Sequence, residues 1–202
     1  MSRSLLVGFI LSVLIAMPSR ADDAAAPDGW RFVAAREEIA PKRAVVRDDQ
    51  GYGLSLTGTG DRSVDGRWVR RVPVTGGRHV VFAARYRAKD VETPTRSVVA
   101  SVLWYDAKGK QVEQAEFPLT VPGADARGLH RMTSTYRVPD AAREAQLELR
   151  LRWAPSGEVV FRDVSLNETS APAARQVKIA SVNHRPRGTK TSEQNLQQFD
   201  GR

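Results

Sequence analysis

Apolar and polar residues alternate one by one through most of the chain between residues 30 and 166. Leu147, Leu149, Leu151 and Trp153, for example, are separated by single polar or charged residues. The same alternation recurs in three further segments: Tyr52–Leu56, Val80–Tyr86 and Met132–Val138. A period of two residues is typical of strands in antiparallel sheets that have one buried and one solvated face. We therefore expect the four residues named first to lie in a hydrophobic core.

Turns that contain glycine separate the alternating segments. They lie at Gly58–Gly60, Thr75–Gly77, Asp106–Gly109 and Ala154–Gly157. In the third of these, the glycine is placed for the left-handed position of a hairpin loop. About eight or nine short strands at this spacing predict an all-β fold, an antiparallel β-sandwich of the jelly-roll kind. The helical signal at residues 140–145 predicts a single turn.

After a short linker at residues 170–175 the alternation stops. Residues 176–190 read as an apolar strand followed by a Pro/Gly loop. Thr191 and Gln194 then have the spacing of a capping box that opens a helix. A strand that leads directly into a helix is the first half of a βαβ unit. We therefore interpret residues 176–202 as a truncated α/β segment, the first strand and helix of an incomplete second domain.

The N-terminus has the pattern of a signal peptide. A basic start at Arg3 precedes the apolar run Leu5–Met17, and small residues follow at Ser19 and Ala21. Residues 1–21 are therefore expected to be a signal peptide, with an uncleaved membrane anchor as the alternative. Residues 22–27 would form a short mature tail before a domain at 28–169. An exported location, periplasmic or extracellular, follows, with no membrane span after cleavage.

Composition narrows the set of partners. The chain has 31 basic and 23 acidic residues, a net charge of +8. The arginines are scattered singly or in pairs, without the Lys/Arg block of a nucleic-acid arm, so we expect no nucleic acid partner. An acidic polysaccharide or an anionic membrane surface would suit this charge, and a solvated basic surface is the alternative. The sequence contains no cysteine, which excludes disulfides and thiol nucleophiles.

No group of residues predicts catalysis. His79, His130 and His184 lack the short spacings of a zinc site. Glu37 and Glu38 are adjacent, so on a strand their carboxylates would point to opposite faces and could not act as a glycosidase pair. We therefore expect this chain to have no catalytic residues.

Several segments between residues 30 and 166 resemble the galactose-binding-like jelly rolls, and among them the carbohydrate-binding modules that accompany xylanases and glucanases. The segments that carry this resemblance are Gly66–Trp68, Arg78–Arg87, Val102–Lys110, Val138–Ala141, Ala145–Leu151 and Val159–Val164. The resemblance implies a non-catalytic module that binds a polysaccharide. It also implies a structural calcium at the position of Asp163, although Arg162 replaces the acid that often precedes it.

The C-terminal segment resembles the opening of a carbon–nitrogen hydrolase (nitrilase-like) domain. The matching parts are Val177–Asn183, Arg185–Gly188 and Glu193–Leu196. The resemblance implies that the full-length protein hydrolyses amides or nitriles through Glu, Lys and Cys residues located downstream. None of these catalytic residues can be assigned in this chain.

Binding of a sugar requires an aromatic platform beside hydrogen-bonding groups, because a pyranose ring has an apolar face and a rim of hydroxyls. Most aromatic residues here fall on the apolar side of their strands. Trp104 and Tyr105 are adjacent, so one of them should face outward. We expect these two and the charged-face residues Arg150 and Arg152 to form the ligand site. The other arginines expected on polar faces are Arg85, Arg87, Arg131 and Arg137.

Three hypotheses follow from the sequence. In the first, the sandwich is the carbohydrate-binding accessory module of an exported carbon–nitrogen hydrolase-like protein. In the second, the sandwich is a ligand-free structural cap for the hydrolase domain. In the third, it is an adhesin or protein-interaction domain that ends in an unstructured tail.

Overall fold

A computed structural model describes residues 26–49, 51–174 and 187–200. The chain divides into two compact units, residues 1–171 and residues 172–202, which are described separately below. Within the described part of the first unit the strands are β1 (Arg31–Ala34), β2 (Lys42–Asp48), β3 (Gly51–Thr57), β4 (Asp65–Pro73), β5 (His79–Lys89), β6 (Val98–Tyr105), β7 (Leu119–Ala124), β8 (His130–Arg137), β9 (Glu144–Arg152) and β10 (Glu158–Thr169). Two 3-10 turns (Pro27–Gly29 and Glu37–Ile39) and the short helix α1 (Pro94–Ser97) complete this unit.

The strands form two antiparallel sheets. The four-stranded sheet has the order β1-β4-β9-β6, and the six-stranded sheet has the order β2-β3-β10-β5-β8-β7. Strands that are distant in sequence are neighbours in both sheets, as in β3-β10-β5. The prediction of an antiparallel β-sandwich is confirmed.

The core lies between the two sheets. Leu147, Leu149 and Leu151 of β9 are fully buried, and so are Phe82 of β5 and Phe161 of β10. Each such side chain contributes about 1.5–3 kcal/mol by leaving water. The period-two pattern therefore identified the inward-facing residues of β9 correctly up to Leu151.

Trp153 does not follow this pattern. Strand β9 ends at Arg152, and Trp153 adopts a left-handed backbone conformation (φ 53°) that is unfavourable for a bulky side chain. Its indole is 46% exposed, so the expectation that Trp153 lies in the core is wrong. The alternation of apolar and polar residues continues past the end of β9, but the extended backbone does not. Without an extended backbone, alternate residues no longer point to the same face.

Strand β10 contains a β-bulge. Arg162 pairs with Arg85 and Ser165 pairs with Ala83, so two residues of β10 lie opposite the single residue Ala84. Asp163, the first bulged residue, has φ 51° and an exposed side chain. The bulge makes Arg162 and Ser165 point to the same outer face although they are three positions apart.

In the second unit, helix α2 spans Ser192–Asp200. Its start confirms the predicted cap, because the Gln194 N–H donates to the Thr191 hydroxyl (3.2 Å). The Gln194 carboxamide accepts from the N–H of Lys190 (2.8 Å), one residue before the position expected for a capping box. The predicted signal peptide and the predicted strand at 176–183 lie outside the described residues. Among the described residues, no helix combines the length and hydropathy needed to cross a membrane.

Candidate functional site

The arginines expected on polar faces are divided between two opposite faces of the sandwich. Arg150 and Arg152 of β9 lie on the outer face of the four-stranded sheet, while Arg85, Arg87, Arg131 and Arg137 lie on that of the six-stranded sheet. The sequence shows which residues avoid the core but not which sheet each strand joins. The two faces are therefore separate candidates.

On the four-stranded sheet, Arg150, Arg67 and Glu148 are already paired. Arg150 binds Asp65 through two hydrogen bonds of 2.6 and 2.9 Å. Glu148 is buried and accepts from Gln146 (2.8 Å), and Arg67 lies 3.1 Å from the same oxygen. A ligand would have to displace these partners, because Arg150 and Glu148 have little unused hydrogen-bonding capacity.

The aromatic residues predicted for a ligand site face opposite ways, as expected for neighbours on a strand. Trp104 is 1% exposed and packs in the core, so its ring is not accessible to a ligand. Tyr105 lies on the outer face, where the Arg71 guanidinium covers its ring at 4.6 Å from the centroid. The expectation that Trp104 contributes to a ligand site is therefore corrected by the structure.

The predicted residues also fail to converge. Tyr105 pairs with Glu144 at the start of β9, and Arg152 lies at the end of the same strand. Eight residues of extended strand separate these two positions by roughly 26 Å. Near Arg152, the Arg96 carbonyl accepts from the Arg152 side chain (3.3 Å), and the Trp153 ring lies 4.3 Å from its guanidinium. Tyr105 and Arg152 therefore cannot contact the same sugar unit.

The outer face of the six-stranded sheet contains an open cavity of about 320 Å³. Its lining consists of Ala83, Ala84, Arg85, Arg131 and Asp163. At its floor, Ala83 lies between the cross-strand partners Thr133 and Ser165. Because these three side chains are small, the surface of the sheet forms a shallow depression at this position, which we call the floor.

Three arginines lie side by side next to this floor. Arg131 of β8 pairs in register with Arg85 of β5, which pairs in register with Arg162 of β10. Directly opposed residues of antiparallel strands point to the same face, so the three guanidinium groups share the outer surface. We call this set the arginine row.

Exposed apolar side chains lie along the adjacent edge of the sheet. Leu119, at the start of the edge strand β7, is 74% exposed and pairs with Thr133 beside the floor. Phe117, just before β7, is 61% exposed, and Val121 is also exposed. We call these three residues the apolar rim, and with the arginine row and the floor they make up the groove. The sequence did not predict the rim, although Pro118 and Pro122 on either side of Leu119–Val121 are typical of an edge strand.

The arginines of the row differ in how their charges are compensated. The Arg162 side chain is 8% exposed and lies 2.5 Å from Asp48. Arg85 lies 3.4 Å from Asp163, and both of these side chains are about half exposed. Arg131 is exposed, and within the described part of the chain its guanidinium has no ion pair. Among the described residues of the row, Arg131 is therefore the accessible cation without a direct ion pair.

The surroundings of Asp163 do not fit a calcium ion. Ca²⁺ takes six to eight oxygen ligands, several of them carboxylates. The nearest charged partner of Asp163 is Arg85, and the preceding residue, Arg162, pairs with Asp48. No cluster of three or more potential metal-ligating side chains occurs among the described residues. The environment of Asp163 is that of an ion pair.

Comparison with known proteins gives matches at the level of the fold. No family model and no curated protein matches the chain. Among solved structures, the enzymatically active domain of bacteriophage CBA120 tailspike protein 4 matches with a TM-score of 0.55 and 11% identity, over 70% of this chain and 20% of the tailspike chain. The chain thus spans one fifth of that structure. At this identity the match supports the β-sandwich fold.

Several matched structures are carbohydrate-binding modules. A family 4 module matches with a TM-score of 0.47 and 20% identity, over 73% of this chain and 92% of the module. The CBM22-1 xylan-binding domain from Paenibacillus barcinonensis Xyn10C matches with a TM-score of 0.45 and 11% identity, over 72% of this chain and 89% of the domain. None of these three structures is a carbon–nitrogen hydrolase.

Proposed function

We propose that the first unit is a carbohydrate-binding module that holds a polysaccharide in the groove of the six-stranded sheet. The observation that carries this proposal is a cavity floored by Ala83 and lined by the donors Arg85 and Arg131. The exposed Leu119 lies beside it, because its cross-strand partner Thr133 is also the partner of Ala83. A pyranose ring needs both kinds of contact, because one face of the ring is apolar and its rim carries hydroxyls.

Within the groove, the apolar rim supplies surface for the ring and the arginine row supplies donors. Phe117 has an exposed aromatic ring, and Leu119 adds an aliphatic surface next to Thr133. The guanidinium groups of Arg85 and Arg131 can donate to ring hydroxyls. The opposite face of the sandwich is a weaker candidate because the side chains of Arg150 and Glu148 are already paired.

The proposal extends to the whole protein. The module would be exported under the N-terminal signal pattern and would precede a carbon–nitrogen hydrolase domain that begins in the second unit. The signal-like residues 1–21 and the resemblance of residues 176–202 to the start of such a domain support this extension. Comparing culture fractions of the native host for the full-length protein would test export. An amidase or nitrilase assay of that full-length protein would test the hydrolase part.

Binding can be tested with the mature chain, residues 22–202, on a panel of immobilised polysaccharides. We expect retention on at least one polysaccharide and about tenfold weaker binding for Phe117→Ala, because loss of one aromatic contact with a ring removes roughly this much affinity. Leu196→Ala is the matched control, since Leu196 is similarly exposed (62%) but belongs to helix α2. Equal retention of the two variants would contradict the role of the groove.

A second candidate is a ligand-free interaction domain, and one observation favours it. Strand β7 is the edge of the six-stranded sheet and carries the exposed Leu119 and Val121. An exposed edge strand is a typical template for pairing with another chain. In that case the mature chain would bind no polysaccharide, and Leu119→Lys would abolish self-association measured by sedimentation velocity.

A further inference from the structure

We infer that the groove takes an acidic polysaccharide, one whose sugar rings carry carboxylates. This inference rests on the proposed function and names the class of ligand for the same site. It comes from the arginine row, whose backbone positions lie on three neighbouring strands, about 4.8 Å apart.

Like charges placed directly opposite each other destabilise a sheet unless a counter-charge lies nearby. Both pairs in the row are of this kind, since Arg85 lies opposite Arg131 on one side and opposite Arg162 on the other. For the Arg85–Arg131 pair, the nearby counter-charge is Asp163, but its ion pair with Arg85 is long (3.4 Å) and about half exposed. Such surface pairs contribute little. The Arg85–Arg131 pair is thus the part of the row where a ligand anion would be most effective.

The charges around the row leave a positive excess. Arg87 and Arg127 lie next to it, where the Arg127 carbonyl accepts from Arg87 (3.2 Å). Asp125 is the carboxylate on that side, and its pKa is lowered mainly by a hydrogen bond from the Leu129 N–H, with smaller contributions that include the charge of Arg85. Among the described residues that these contacts place around the row, the guanidiniums are those of Arg85, Arg87, Arg127, Arg131 and Arg162, and the carboxylates are those of Asp48, Asp125 and Asp163. The guanidiniums in this group outnumber the carboxylates.

The shape of the groove favours a carboxylated sugar over other anions. The carboxylate of a uronic acid projects from the rim of its ring, so a ring resting on Ala83 and against Leu119 could direct it toward Arg131. A guanidinium binds a carboxylate through two parallel hydrogen bonds, which are stronger than bonds to a hydroxyl. An anionic membrane would meet the charge of the row but would make no use of the low floor.

The test compares polygalacturonate with the same polymer after reduction of its carboxyl groups, using affinity electrophoresis of the mature chain at 0.15 M salt, where the Debye length is about 8 Å. We expect binding to polygalacturonate to be at least about tenfold tighter than to the reduced polymer, as befits charge-assisted hydrogen bonds. Arg131→Gln should remove most of this difference. The matched control is Arg137→Gln, because Arg137 lies on the same strand and the same face but pairs with Asp140 (2.7 Å).

The possible outcomes separate the two proposals. Equal binding of both polymers, unaffected by Arg131→Gln, would overturn the acidic ligand while leaving the carbohydrate-binding function intact. Binding of neither polymer nor of any neutral polysaccharide would contradict the function itself. Equal losses in the Arg131 and Arg137 variants would show general charge attraction, against the inference. Retention on vesicles with three parts phosphatidylglycerol to seven parts phosphatidylcholine, without binding to the polymers, would identify a membrane as the occupant and would also overturn it.

Discussion

At the scale of single residues, Arg162 shows how a charged side chain is accommodated on a sheet surface. Its guanidinium lies near β3, where it pairs with Asp48 and donates a weak hydrogen bond to the Gly51 carbonyl (3.5 Å). The packing is possible because Gly53, directly below, has no side chain: a Cβ there would lie 2.6 Å from Val160 and 3.2 Å from the Arg162 guanidinium carbon.

Replacement of Gly53 by alanine should therefore destabilise the sandwich. The added methyl group must push Val160 or Arg162 aside, and overpacking of this kind costs about 1–3 kcal/mol. Urea denaturation of the mature chain measures the effect. Ala44→Val on the exposed face of the neighbouring strand β2 is the control, and we expect it to change the free energy of unfolding by less than about 0.5 kcal/mol. A similar change in the free energy of unfolding for both variants would show that an alanine side chain fits above position 53 without displacing its neighbours.

The core offers a second prediction at this scale. Leu149 is fully buried at the centre of β9. Leu149→Ala should lower the free energy of unfolding by about 2–5 kcal/mol through lost burial and the cavity left behind. Leu119→Ala is the control at an exposed leucine and should leave the free energy of unfolding almost unchanged. Comparable losses of stability from the two leucines in urea denaturation would contradict the assignment of inner and outer faces.

At the scale of elements, two turns, one after β6 and one before β8, are stabilised in the same way by an aspartate side chain. In the turn after β6, the Asp106 carboxylate accepts from the N–H groups of Lys108 and Lys110, both at 2.9 Å, and Gly109 adopts the predicted left-handed conformation (φ 76°). In the turn before β8, the Asp125 carboxylate accepts from Arg127 (2.9 Å) and Leu129 (3.0 Å). In each turn, one aspartate carboxylate thus accepts hydrogen bonds from two backbone N–H groups that would otherwise bind water.

These turns predict that the stability of the fold depends on pH in the acid range. The hydrogen bond from the Lys110 N–H, and then that from Lys108, hold the pKa of Asp106 below its ordinary value of 3.8. A carboxyl with a lowered pKa contributes stability that is complete above pH 3.8 and is lost as the pH falls through the lower folded value. We expect Asp106→Asn to reduce the loss of stability between pH 4 and pH 2 in urea titrations. An unchanged pH profile would show that the charge of Asp106 does not stabilise the turn.

At the scale of the whole molecule, the two compact units should behave independently. Leu196 of helix α2 is exposed, and helices of about nine residues are marginal in water without tertiary packing. Within the second unit, the helix is connected to the preceding loop by polar contacts, among them that of the Gln198 carboxamide with the Arg187 carbonyl (2.7 Å).

Removal of residues 175–202 should therefore leave the melting temperature of the sandwich nearly unchanged. The reason is that the core residues in the described part of the chain belong to the first unit. Differential scanning calorimetry of the mature chain with and without the segment measures this. A fall of several degrees after removal would show that the segment belongs to the sandwich, and the proposal of a second domain would fail with it.

The absence of catalysis in this chain is the last prediction at this scale. The purified mature chain should hydrolyse no amide, nitrile or glycoside above a heat-inactivated sample. The sequence contains no cysteine, and the spacing of its histidines and adjacent glutamates does not predict an acid–base pair. Turnover that co-purifies with the chain and disappears on heating would refute this expectation.

Much of the fold could be predicted from local sequence because it depends on local chemistry. Alternation around Leu149 identified a half-buried strand, since the two-residue period of an extended chain is a property of the backbone itself. The left-handed glycine at Gly109 and the cap at Thr191 were likewise correct, because each depends on contacts within a few residues. The sequence by itself thus determined the strand type, the core positions of β9 up to Leu151, and the turns.

Only the tertiary structure decided where the candidate site lies. Arg85, Arg131 and Arg162 are neighbours because β5, β8 and β10 are paired in one particular register, which residues far apart in sequence establish together. Periodicity tells which face a side chain occupies within its own strand, but strand order and register depend on packing across the whole sandwich. Trp153 shows the same limit, since a single left-handed residue at a strand end moved its ring from the expected core to the surface.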